Sequence, residues 1–320
     1  MIDFRYHLVS IVSIFLALAV GIVLGAGPLQ GELGDTLSKE VAGLRQDKAD
    51  LNTQLGQANA GAEARDAYIG ETNPEVLSGV LQDRRVALVV LPGSDAAVSE
   101  STSATLRQAG ASVVSTTSVS DSWVTTDEST AESRDEAVTE AATRAGVDVT
   151  ETGSVSPRDV LLAALLTTPA TEGSNALAAS TASAGLEVLS SADLLEIDTE
   201  GFELADLVVV IGGVATQGDL EARRTAAGRW VDLTIALDDR SAGALVAGES
   251  TTATDGVSVI DAVRNDATAT RGVSTVDNAG GSLGQASVVH GLAQQAAGDV
   301  GQFGLAPGAD APYAPLPAAS

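Results

Sequence analysis

The chain has 320 residues, a formal charge of −26 and no cysteine. That length allows a sizeable core, while the missing cysteine rules out disulfides, thiolate nucleophiles and thiolate-held metals. The anionic balance repels nucleic acid, which is therefore not an expected partner.

From Leu8 the stretch "HLVSIVSIFLALAVGIVLGAG" (7–27) carries no charge and no proline for about the length that crosses a bilayer as a helix. It outruns the apolar region of a secretory signal peptide and ends in "GAG", a poor cleavage match, so residues 8–27 read as an uncleaved transmembrane helix. Arg5 precedes it and the next basic residue is Lys39, which orients residues 1–7 to the cytoplasm and the bulk of the chain outside the cell membrane, in the envelope. Ala17, Gly21 and Gly25 recur every four residues, a face on which two such helices could approach closely, although small residues are common in any alanine-rich span.

"GPLQG" ends this helix, since proline cannot continue it. Beyond it Leu37, Leu44 and Leu51 recur every seven residues, interleaved with Val41, Lys48 and Leu55. Read as d and a positions, these predict a coiled-coil stalk over 33–70 that pairs in parallel with a second copy of the chain. Lys48 at a would cost stability but fix the oligomer, and Glu40 at g would face Arg45 at e of the partner. Gly43, Gly56 and Gly61 weaken the seam by about 1 kcal/mol each. The same pattern also suits one amphipathic helix lying on its own globular domain.

The region 74–306 reads as an extracytoplasmic domain. "RRVALVVLPG" (84–93), "ASVVSTTSVS" (111–120), "GLEVLSS" (185–191), "ADLVVVIGG" (205–213) and "AGALVAGES" (242–250) read as strands, their continuous apolar runs suiting a parallel sheet covered on both faces. Helical stretches near 96–109, 130–145, 157–167, 217–233 and 256–265 alternate with them. "STVDNAGGSLGQASVVHGLAQQAAG" (274–298) adds a strand, a glycine-rich turn and a last helix. The expected fold class is α/β: a single transmembrane helix, a coiled-coil stalk, then a doubly wound, Rossmann-like, mostly parallel sheet. Residues 307–320, rich in proline and alanine, read as a disordered tail.

"LPGSDAA" (91–97) and "VIGGVATQGD" (210–219) place glycines at the carboxyl ends of strands, where such sheets bind ligands. Neither is G-x-G-x-x-G, no lysine follows Lys48 to build a phosphate loop, and no G-x-S-x-G is present. His290 in its apolar helix reads as a packed side chain. One methionine, the initiator, and two histidines supply neither the thioethers of a Cu(I) site nor the clustered imidazoles of a Cu(II) site. The residues therefore point to no enzyme, no cofactor and no metal site.

The two ends of the chain, "MIDFRYHLVSIVSIFLALAVGIVLGAGPL" and "GVSTVDNAGGSLGQASVVHGLA" with "GQFGLAPGADAPYAPLP", resemble the actinobacterial MctB family of copper transporters, whose corynebacterial relatives are called SteB. The resemblance implies an envelope protein with one span, a coil and an α/β domain, and it carries two roles. One is copper homeostasis through a proposed channel; the other is separation of daughter cells with a membrane partner called SteA, upstream of a peptidoglycan hydrolase. Copper enters only through this resemblance, as does a SteA-like partner. The expectation drawn from residues and resemblance together is a non-catalytic, dimeric coiled-coil scaffold in envelope remodelling and cell separation, with copper transport by an oligomeric channel component as the alternative.

Overall fold

The computed structural model describes residues 4–26, 29–149, 155–170, 176–249 and 256–316. Contacts divide the chain into two units, Met1–Arg65 and Asp66–Ser320. The first holds helix α1 (Phe4–Ala26) and most of helix α2 (Leu29–Val76). Its window Phe4–Gly25 is apolar, unburied and long enough to cross a membrane. At 1.5 Å per residue the 48 residues of α2 span about 70 Å. The stretch read as a stalk lies inside this one helix, whereas Gly27 and Pro28 fall outside the described residues.

Among the described residues the second unit has nine strands: β1 (Arg85–Val90), β2 (Ser112–Val119), β3 (Leu195–Ile197), β4 (Leu207–Ile211), β5 (Val214–Ala215), β6 (Ala244–Ala247), β7 (Val257–Ser258), β8 (Ser274–Val276) and β9 (Gln302–Phe303). Between them run α3 (Ala96–Gln108), a 3₁₀ turn (Asp121–Trp123), α4 (Glu128–Ala145), α5 (Pro157–Leu166), α6 (Ala179–Ser191), α7 (Leu220–Arg240), α8 (Val259–Asn265), α9 (Ala269–Gly272) and α10 (Ser282–Gln295). The main sheet has the order β3-β2-β1-β4-β6-β8-β9, with every pair parallel except β2 and β3. β5 and β7 form a separate antiparallel ribbon.

The sheet is apolar on both faces because it is covered on both. Val208 and Val210 point into a core shared with α4 to α8, while Leu207, Val209 and Ile211 point into a second core with α3, α10, Leu77 and Leu81. Period-two alternation between two buried faces leaves no polar position, which explains the unbroken run in β4.

Three expectations change. "GLEVLSS" is the end of α6, not a strand: Ala182, Leu186 and Leu189 recur at helical spacing and are all buried. Gly185 lets α6 close on α5, since a methyl there would stand 2.9 Å from the Leu165 side chain. A short apolar run does not by itself distinguish strand from buried helix. The adjacent strand is β3, a few residues later. The stretch near 256–265 splits into β7 and α8. Finally, the tail from Pro307 is folded as far as Leu316. Ala314 is buried and its N–H donates to Ser287 Oγ (3.2 Å), and Gln294 Nε2 donates to the Pro315 carbonyl (3.0 Å). Residues 317–320 lie outside the described residues.

Candidate functional site

Strand order reverses between β1 and β4, the place where doubly wound sheets open a crevice for ligands. Here the two glycine-bearing turns close on each other. Leu91 N–H donates to the Ile211 carbonyl (3.1 Å) and Val214 N–H to the Gly93 carbonyl (3.3 Å). A methyl at Gly213 would overlap the Pro92 carbonyl oxygen, and one at Gly93, whose φ is +74°, would stand 2.6 Å from the Val214 oxygen. Gly93 in "LPGSDAA" and Gly213 in "VIGGVATQGD" thus serve backbone contact across the switch point.

Beside this closure, a groove of about 610 Å³ runs between the turn after β2 and the start of α7, lined by Asp121, Thr125, Gln217, Asp219, Glu221 and Arg229 among others. The turn forming one wall is held by three buried or half-buried charges. Trp123 Nε1 donates to Asp159 Oδ1 (2.7 Å), Arg134 Nη1 donates to the carbonyls of Trp123 (3.3 Å) and Thr125 (3.2 Å), and Arg229 Nη1 donates to the Val124 carbonyl. Burial pushes the Asp159 carboxyl up to about 6, against Arg158 and the Trp123 hydrogen bond, which favour its charged form. These groups answer the turn's own carbonyls and indole, a structural assignment.

A buried ion pair, also without a local sequence signal, lies under the carboxyl-terminal motif. The side chains of Arg264 and Asp277 are 2% and 1% exposed and pair at 2.6 Å. Arg264 also donates to Thr275 Oγ1 (2.9 Å) and the Phe303 carbonyl (2.7 Å), while Asp277 accepts from the N–H groups of Leu305 (2.7 Å) and Ala306 (2.9 Å). Both charges are therefore fully hydrogen-bonded, the condition under which a buried pair is tolerated.

The seam residues Leu37, Val41, Leu44, Leu51 and Leu55 lie along α2, between 39 and 65% exposed in the single chain, with Lys48 exposed among them. Ala17, Gly21 and Gly25 sit on exposed α1, and among the described residues nothing beyond the neighbouring residues and the helix's own backbone lies within 4 Å of where a side chain on either glycine would begin. His290 is buried in α10, and that burial lowers its pKa. Among the described residues, no group of three or more His, Cys, Asp or Glu gathers in a way that could hold a metal ion.

An apolar N-terminal helix, a long following helix and a mostly parallel sheet define a membrane-anchored α/β protein. Residues 1–314 match the family described as "Copper transport outer membrane protein, MctB", and the chain belongs to that family. It is 30% identical to proteins named Copper transporter MctB from Mycobacterium tuberculosis and Mycobacterium bovis, over 97% of this chain and 98% of theirs. The protein of that name from Mycobacterium leprae is 27% identical over the same shares.

Proposed function

We propose that this protein works in copper handling at the cell envelope, as a membrane-anchored and non-catalytic component that acts in more than one copy. The observation that carries the copper reading is the family match over nearly the whole chain, with relatives named as copper transporters. Copper here is cargo. One chain offers a single methionine, two histidines and no cysteine, too few soft or imidazole ligands for a route of its own. The reading therefore places copper's path in an assembly of copies or with a partner, and the heptad face of α2 supplies the means of assembly. Its test is cell-associated copper and growth under added copper in a strain lacking the gene, complemented with wild type or with the Leu44→Asp, Leu51→Asp double variant. Copper accumulation restored to normal by wild type but not by the variant supports the reading; a deletion strain with unchanged copper overturns it.

The exposed seam also favours a second reading, a dimeric scaffold in envelope remodelling and cell separation. In medium with copper chelated, chains of unseparated deletion cells would support it, and normal single cells would count against it.

A further inference from the structure

Helix α10 opens the last crossover of the sheet, directly after the glycine-rich turn that follows β8. Its own N-cap residue is Gly281, which has no side chain to answer the free N–H groups of the first turn. One of them, the Ser282 N–H, is nevertheless answered by a helix more than two hundred residues earlier. Asp66 Oδ1 accepts from Ser282 N–H (2.7 Å) and its Oδ2 from the Ser282 hydroxyl (3.2 Å), while Asn73 Nδ2 donates to the Ser282 carbonyl (2.9 Å). Every polar group of Ser282 is thus engaged by α2. A second carboxylate, Glu249 after β6, accepts from Gly280 N–H.

The approach is close on both sides. A methyl at Gly70 would stand 2.9 Å from Ser282 Oγ, and one at Gly281 would stand 3.2 Å from Asp66 Oδ1. Asp66, Gly70, Asn73 and Leu77 follow at intervals of four, three and four, one face of the helix, and Leu77 finishes that face fully buried in the core with α3 and α10. The heptad positions carried into the same turns are Ile69, Thr72 and Val76, with Asp66 and Asn73 beside them, and the contact to Ser282 is made within one chain.

We infer that the end of α2 is a latch: Asp66 is the N-cap of α10, supplied from another helix, and it couples the helical state of residues 66–76 to the order of α10 at the carboxyl edge of the sheet. An anionic cap at a helix N-terminus satisfies two donors and complements the dipole at once. When residues 66–76 leave their helical register, α10 loses its cap and the turn at 278–282 loosens. When they hold it, that edge of the sheet is fixed.

Hydrogen–deuterium exchange on the full chain in detergent micelles tests this. Asp66→Ala should raise exchange in peptides covering 280–286 about fivefold or more and leave β1 and β4 unchanged. Asp66→Asn, which keeps an acceptor oxygen, should recover most of the protection. Gly70→Ala should reproduce the Asp66→Ala pattern with the carboxylate still present, and serves if the alanine variant at 66 does not fold. Unchanged exchange at 280–286 in both variants overturns the latch, as does a rise spread evenly over the whole sheet.

Discussion

Residues 37–55 and residues 264–306 treat their side chains in opposite ways. The first carries its leucines exposed along a single helix. The second buries a full ion pair, with Arg264, Asp277 and the amides of Leu305 and Ala306 closing on one another. An exposed apolar stripe is available to a partner surface, whereas a satisfied buried pair is complete within its own chain. The contrast teaches where to look for function: in the first region substitutions should change association, in the second they should change folding.

Breaking the inner network gives the largest expected effect on stability. Asp277→Ala leaves Arg264 buried without its counter-charge and strips two amides of their acceptor, a loss of about 3–5 kcal/mol and about 10 °C in Tm. Circular-dichroism melts of the full chain in detergent check it, and a drop under 2 °C would show the pair to be dispensable, a threshold that corresponds to about 1 kcal/mol.

The next effect has the opposite sign. Burial raises Asp238 to about 6, although its Oδ1 accepts from Ala244 N–H (3.0 Å). A carboxyl raised in the fold contributes most below its unfolded pKa, and that contribution is lost as pH rises through the folded value. Asp238→Asn, which keeps the acceptor without the charge, should therefore raise stability by about 2–3 kcal/mol at pH 7.5 and by little at pH 4. Chemical-denaturation midpoints at the two pH values read this directly.

Gly213→Ala, which forces a methyl onto the Pro92 carbonyl, should cost about 1–3 kcal/mol in the same assay. Smallest of all on stability is Leu44→Asp with Leu51→Asp, which should leave melting of the α/β unit within about 0.5 kcal/mol of wild type. The same double variant should abolish self-association in analytical ultracentrifugation. If it instead lowers the melting temperature, the stripe on α2 is part of the fold and the contrast between the two regions fails.

The apolar helix, the long helix after it and the parallel sheet were legible because each rests on a local pattern: a charge-free run, a heptad, and Val/Leu runs separated by amphipathic stretches. "GLEVLSS" was misread for the same reason, since four apolar or small residues in seven fit both a strand and the inner face of α6. Trp123 and Asp159 lie 36 residues apart and Asp66 and Ser282 lie 216 apart, so neither pairing leaves any trace in a window of sequence. The glycines at 93 and 213 looked alike whether they cradled a ligand or each other's backbone, and only the crossing of the two turns decided between them. Composition misled at the chain's end, where the Pro/Ala bias hid that Ala314 and Pro315 are each tied to α10.

The Asp277 network also dictates an order of events. Synthesis runs from the N-terminus, so Arg264 and Asp277 leave the ribosome well before the amides of Leu305 and Ala306 that complete their bonding. Until then Arg264 and Asp277 have each other and Thr275 but lack the Phe303 carbonyl and the two amides that complete the network. The final stretch of chain is in this sense the keystone: a chain that stops before residue 303 lacks the carbonyl and the amides that close this network.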